Sequence, residues 1–361
     1  MIPAEYYYNI YLVVVSLITI KVYLQYANRN GLREFNPSTL DMSAGGCVLL
    51  MTLFIGLRPV SLVFADMVNY AGWYELLYEG VDFQFNWDVE NKIWENLFAW
   101  WGSMSLGYTS FFVFVATIYF GGAYLGIRKL FPNHRLTAFL VFLAAFSTFS
   151  YGTNGIKAGA ATSLFIWALG YRENLKVCIP LVLLSWGFHH SMIMVVAAFV
   201  ITLFVKNPKY YFWIWGFCLL MAAAHVTAFA NLFAGAITEK GAMYLTGGFN
   251  HGTKVGFRID FIVYSAMPVI VGWYAIMKKK LQVSELYKKL LGLYLCLNGV
   301  WMLCMYAEFT NRIAYLSWFL YPIVLIYPFL NEQWGRNRYK KFGLVMLGHL
   351  GFTLFMNVIY Y

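Results

Sequence analysis

Four cations, Arg58, Lys157, Arg258 and Arg312, each stand at or just beyond the mouth of an apolar run. Few other polar residues share that level: Asp66, Asn154, the pair His189-His190, Asp260, Glu308 and Asn311. An ionisable group at such a depth is costly and by default marks a functional site. If these run ends converge, they make a basic, partly apolar pocket suited to phosphate or pyrophosphate. Arg can grip phosphate oxygens bidentately, while Lys acts as a point charge. Each residue also has a plainer reading. A single Arg at a helix mouth can snorkel to headgroups. Asp66 and Asp260 are either solvated loop charges or partners of Arg58 and Arg258, and His189-His190 is either a packing pair or catalytic. His134, His225, His251 and His349 have no informative neighbours.

The elements that must position these groups follow from bulk properties. Of 361 residues, 61% are hydrophobic, 20% aromatic and 12% charged, against about 25% charged in soluble domains. Apolar runs cover 6–25, 42–57, 107–127, 136–151, 158–171, 177–188, 191–205, 211–232, 261–277, 290–305, 313–330 and 342–360. They predict an all-α, polytopic integral membrane protein with about 12 transmembrane helices, some short or re-entrant. No soluble domain can be cut out, so 1–361 reads as one membrane domain. The pair flanking Phe188-His189-His190-Ser191 is the shortest, and reads as a re-entrant hairpin or one broken helix. The N-terminus has no basic n-region or small-residue cleavage site, so the first run is expected to stay as a spanning helix. The five cysteines lie inside apolar runs without CxxC spacing, which argues against a metal site or disulfide framework.

Charge distribution sets the sides. The net charge of +10 is spread over short clusters between runs, as topology signals are, which speaks against nucleic acid as a partner. Alternate connections, with Lys21, hold 19 of the 26 Lys and Arg residues, and the positive-inside rule makes that side cytoplasmic. The other side keeps Arg58, Lys92, Lys157, Lys240, Lys254, Arg258 and Arg312, and the two longest connections, 58–106 and 233–260. The first of these is acidic and dense in Trp and Tyr, suited to a helix in the membrane interface or to a surface that stacks on sugar rings.

Four patches resemble a known family, the EpsG/Wzy-type O-antigen and capsular polysaccharide polymerases. They are Gly56-Leu57-Arg58-Pro59 with Asp66-Met67-Val68-Asn69-Tyr70, and Tyr151-Gly152-Thr153-Asn154-Gly155-Ile156-Lys157-Ala158-Gly159. The other two are Phe188-His189-His190-Ser191, and Asn311-Arg312 leading into Tyr315 and Trp318. Two positions depart from the pattern: Lys157 stands where relatives usually carry Arg, and Ala65 where a glycine is common. The resemblance implies a GT-C-like membrane glycosyltransferase bundle in the bacterial inner membrane, with its site facing the periplasm. Donor and acceptor would be undecaprenyl-pyrophosphate-linked oligosaccharides. Neither metal nor cofactor is implied, and a chain-length regulator is a candidate partner. On this reading Arg58, Lys157, Arg258 and Arg312 take pyrophosphate, while Tyr70 and Asn154 orient sugar or phosphate. Asp260 and Asn311 lie beside those cations. Asp66, His189 or His190, and Glu308, in falling order, are base candidates. A lipid-linked oligosaccharide flippase or a glycan-modifying membrane acyltransferase are the alternatives. The polar groups gather at one face and the two halves do not match, which favours the polymerase over a transporter.

Overall fold

The structure, a computed structural model, describes residues 2–27, 37–229, 233, 255–335 and 337–360. Most of the expected 233–260 connection, with Lys240, His251 and Lys254, lies outside the described residues, as do Arg29, Arg33 and Arg336. Among the described residues every regular element is helical. The helices are α1 (Tyr7–Ala27), α2 (Pro37–Gly56), α3 (Ala65–Trp73), α4 (Lys92–Ser103), α5 (Tyr108–Ala116) and α6 (Gly122–Leu130). There follow α7 (Arg135–Leu143), α8 (Thr148–Thr153), α9 (Ile156–Gly170), α10 (Leu175–Phe188), α11 (Met192–Phe204) and α12 (Pro208–Ala223). The last five are α13 (Ile259–Trp273), α14 (Glu285–Leu303), α15 (Thr310–Trp318), α16 (Tyr321–Leu330) and α17 (Arg338–Phe355).

Each of the apolar runs falls on one or more of these helices. Among the described residues, five helical stretches are long and apolar enough to cross a membrane: Ala4–Gln25, Tyr108–Leu130, Ile259–Lys278, Thr310–Leu330 and Arg338–Tyr360. The chain is a helical membrane protein. Four other apolar helices, Ser43–Gly56, Ile156–Gly170, Leu175–Phe188 and Met192–Phe204, are shorter. At 1.5 Å per residue the last three measure roughly 20 Å, short of the ~30 Å hydrocarbon core, while α2 as a whole runs over Pro37–Gly56.

The helices group into two compact units, Met1–His189 with Gly343–Tyr361, and His190–Phe342. In the first unit, α9 packs against α6 and α10. The α6–α9 approach is close because Gly126 has no side chain: a Cβ there would lie 2.2 Å from the Ile166 carbonyl oxygen. Small residues let helix backbones meet without a hydrophobic driving force, as membrane interiors require. In the second unit a polar chain joins four helices. Trp215 Nε1 donates to Asn298 Oδ1 (2.8 Å), and Asn298 Nδ2 to Ser317 Oγ (3.1 Å). Trp318 Nε1 donates to Ser265 Oγ (2.8 Å), whose carbonyl accepts from Tyr294 Oη (2.8 Å). The residues of α16 are buried throughout.

The expected run 136–151 is not one helix. It stops at Leu143 and restarts at Thr148, within a buried stretch. A helix end leaves carbonyls without partners, and in an apolar surrounding each must be satisfied internally. Here side chains do it. The Val141 carbonyl accepts from His349 Nε2 (3.0 Å), which puts the ring proton on that nitrogen, and Phe142 accepts from Thr148 Oγ1 (2.6 Å). Leu143 accepts from Tyr11 Oη (2.6 Å) and Ala144 from Thr353 Oγ1 (2.7 Å). Removing one such donor strands a buried acceptor, at about 1–3 kcal/mol. Thr353→Val should therefore lower the thermal unfolding midpoint of purified protein. Thr117→Val, which removes an exposed hydroxyl bonded only within its own helix, should leave the midpoint unchanged.

Candidate functional site

In the first unit the first two sequence patches meet directly, and Phe188 of the third is linked to them through the Trp94 ring. Arg58 follows the end of α2 and is 3% exposed. Its Nη1 donates to the Ile55 carbonyl (2.6 Å) and its Nη2 to the Thr153 carbonyl (2.8 Å), which joins the first patch to the second. The guanidinium lies 5.6 Å from the Phe64 ring centroid and 5.5 Å from that of Phe112. Its Nε has no hydrogen-bond partner, and no carboxylate pairs with it among the described residues. Burial pushes its pKa down to about 9, so it stays charged at neutral pH. Asp66 is thus not the partner of Arg58. It sits half-buried in the first turn of α3, where the helix dipole favours an anion.

The second patch turns the chain between α8 and α9. Asn154 N and Gly155 N both bond the Ser150 carbonyl, closing α8, and Gly159 N bonds the Gly155 carbonyl, opening α9. The glycines have a steric reason. A Cβ at Gly159 would lie 2.4 Å from the Tyr151 carbonyl oxygen and 3.2 Å from the Tyr119 ring. Tyr119 itself donates to the Thr148 carbonyl (3.0 Å) from a π-helical turn, Thr117–Gly121, between α5 and α6. Nothing in the sequence marked Tyr119 as a support for this patch. Asn154 and Lys157 are half-buried, and Asn154 Oδ1 has no hydrogen-bond partner among the described residues. Lys157 occupies the first turn of α9.

The third patch is tied in by rings. Trp94, buried on α4, lies 5.6 Å from the Tyr70 ring and 5.9 Å from Phe188, the residue before His189. Gly187 lets α10 close on α4, since a Cβ there would lie 2.4 Å from Ile93 Cδ1. Tyr70 also meets Trp73 and Phe98 edge-on. The aromatic loop is accordingly divided: Trp94 is core, while Trp73, Trp87 and Trp100 are exposed. Lys92 is turned back on the Trp87 carbonyl. His189 ends α10, and the chain enters the second unit at His190; both rings are half-buried.

The second unit holds the remaining candidates. Arg258 and Asp260 form a bidentate pair, Nε to Oδ1 at 3.0 Å and Nη2 to Oδ2 at 2.6 Å, with side chains 13% and 7% exposed. Of the two readings left open by sequence, the ion pair is the one observed. The guanidinium also lies 3.7 Å from the Phe261 ring centroid. Asn311 and Arg312 are exposed in the first turn of α15, and Glu308 is half-buried just before it. Phe309 between them has φ +50°. Arg312 N bonds the Phe309 carbonyl (2.8 Å), and its guanidinium lies 4.8 Å from the Phe309 ring. His225, which sequence left without a role, stacks on Tyr306 at 4.0 Å. Among the described residues no three His, Cys, Asp or Glu side chains gather as metal ligands.

A model of the EpsG family matches residues 47–361. The chain belongs to the EpsG family. Membership gives it a polysaccharide-polymerase-like role and makes it a glycosyltransferase-like enzyme. No curated protein and no solved structure matches the chain. The family match spans all four patches, so within this EpsG chain the Arg58–Thr153 bond joins two parts of the family's own region.

Two outcomes follow for this EpsG chain. Arg58→Lys keeps a charge but loses the planar fork with a nitrogen on each carbonyl, and should cost about 1–3 kcal/mol with faster amide exchange over 154–159. Asp260→Asn leaves a largely buried guanidinium unpaired, at a cost of about 3–5 kcal/mol. In a double-mutant cycle of thermal unfolding, Asp260→Ala should therefore destabilise more alone than together with Arg258→Ala.

Proposed function

We propose that this chain extends a bacterial surface polysaccharide, O-antigen, capsule or exopolysaccharide, at the periplasmic face of the inner membrane. It transfers a growing glycan from undecaprenyl pyrophosphate onto a lipid-linked repeat unit, without a metal, in a GT-C-like bundle of about twelve crossings. A hydroxyl of the acceptor sugar attacks the anomeric carbon of the donor glycan. The bond from that carbon to the pyrophosphate oxygen breaks, pyrophosphate leaves with the electron pair, and a base takes the hydroxyl proton. A chain-length regulator is a candidate partner in setting how long the product grows.

The observation that carries this reading is Lys157 in the first turn of α9. An anion bound there meets the lysine and the helix N-terminus together. Lys157 and Asn154 accordingly hold pyrophosphate, with Asp66 as the first base candidate and His189 the next. Tyr70 is held edge-on against Trp73, Trp94 and Phe98, and orients a sugar. Arg58 acts differently from the expectation drawn from the resemblance. It is 3% exposed and donates to carbonyls of two segments, so in this reading it positions the 153–157 turn rather than gripping substrate. In the second unit, exposed Arg312 with Asn311 serves a phosphate of a lipid-linked substrate. Asp260 holds Arg258, and Glu308 and His190 are the later base candidates.

The test uses a strain whose long surface polysaccharide depends on this protein, with membrane levels of each variant matched. Lys157→Ala should reduce polymerisation on the order of a hundredfold, as loss of a group stabilising developing charge does, while single repeat units still reach the surface. Lys157→Arg should keep the glycan ladder. If no repeat unit reaches the outer face, the chain is a flippase and the proposal is wrong.

A further inference from the structure

A cleft of about 340 Å³ in the first unit is lined by Arg128, Lys129, Pro132 and Arg135. It lies where α6 ends and α7 begins, remote in sequence from every patch above. Arg128 and Lys129 close the last turn of α6, and Arg135 is the first residue of α7. No carboxylate lines it, and the nearby acid in sequence, Glu173, is exposed and paired with Arg172 at 3.1 Å. Lys129 Nζ is held 5.1 Å from the Tyr171 ring centroid. Three basic side chains around one cleft give it a positive potential that favours an anion. This connection is one of those the charge asymmetry assigns to the cytoplasmic side, where anionic lipid headgroups are concentrated.

We infer that this cleft binds a phosphate group, supplied by an anionic phospholipid headgroup or by free phosphate. Arg128 and Arg135 offer forks to its oxygens and Lys129 a point charge. The proposal does not depend on the polymerase reading, because none of these residues is placed in that chemistry.

The full-length protein is placed in nanodiscs of phosphatidylcholine with graded phosphatidylglycerol, and retained lipid is counted by native mass spectrometry. A second arm measures binding of radiolabelled inorganic phosphate in pure phosphatidylcholine discs at fixed ionic strength. Three proteins are compared: wild type, Arg128→Gln/Lys129→Gln/Arg135→Gln, and the equally discharged Lys206→Gln/Lys209→Gln/Lys278→Gln. Each basic side chain at a membrane surface is worth roughly fivefold in anionic-lipid binding. The cleft triple variant should therefore lose on the order of a hundredfold in affinity, and Arg135→Gln alone, which guards against misfolding of the triple, roughly fivefold. Loss confined to the lipid arm identifies the headgroup as the source, and loss in the phosphate arm identifies the free anion. Equal binding by wild type and the cleft variants in both arms, or an equal loss in the control triple, overturns the inference.

Discussion

Backbone carbonyls buried in an apolar bundle have no water to turn to, and the architecture around the candidate site is built on how α7 meets that demand. The helix ends at Leu143 in the buried interior, and the carbonyls of Val141, Phe142, Leu143 and Ala144 are each taken by a side chain. Those donors come from α1, α8 and α17, the two ends of the chain closing on its middle. Without them the break between α7 and α8 would leave several unsatisfied groups, each costing about 1–3 kcal/mol. With them a six-residue helix, α8, is fixed at its entry. At its exit the Thr153 carbonyl goes to Arg58. The turn that carries Asn154 and Lys157 thus inherits its position from bonds made at both ends of α8.

Arg58 shows why one residue type suits that place. A buried charge costs several kcal/mol unless it is satisfied, and a lysine's ammonium is a strongly hydrated point charge without a planar fork of separate nitrogens. A guanidinium has that fork, and its weak hydration and planar face tolerate Phe64 and Phe112 beside it. With no carboxylate paired to it among the described residues, the charge also acts through a medium of low dielectric, where Coulomb interactions reach further than in water. A structural bond and a positive field beside the 153–157 turn therefore come from the same group. This is a reason for an uncompensated cation in a fold that could have been held by a neutral donor.

What could be read from sequence tracks the range of the forces involved. Apolar runs bounded by charges located the helices, because burial in lipid acts on whole segments. The run expected from 158 begins as α9 at Ile156, two residues earlier. The break at 144–147 was not: Ala144-Ala145-Phe146-Ser147 contains neither Pro nor Gly, and its capping donors lie as far off as Thr353. His349 looked like a lone histidine in an apolar helix because its acceptor exists only after α7 has stopped. The four patches were recognisable as residue types, but the bonds joining them pass through groups without a sequence signal, a Thr153 carbonyl and the Trp94 ring. The Arg258–Asp260 pair was one of two open readings, and only the measured fork geometry decides it.

The cations are held in different ways, which bears on which of them meets substrate. Arg58 is buried against two carbonyls and Arg258 is locked to Asp260, so neither is open to an arriving phosphate. Arg312 differs, being exposed on a turn whose preceding aromatic, Phe309, holds a left-handed conformation. For a bulky residue that geometry costs roughly 1–2 kcal/mol, and strain of this sort persists only where the surroundings impose it. The Trp301 Nε1 bond to Thr310 Oγ1 at 2.9 Å and the Arg312 amide bond to Phe309 supply that restraint. The strained turn sets Asn311 and Arg312 outward on the first turn of α15 and Glu308 just before it. A relaxed loop would have stored no energy here, but neither would it have fixed an exposed guanidinium at a helix N-terminus, where dipole and charge act together on an arriving anion.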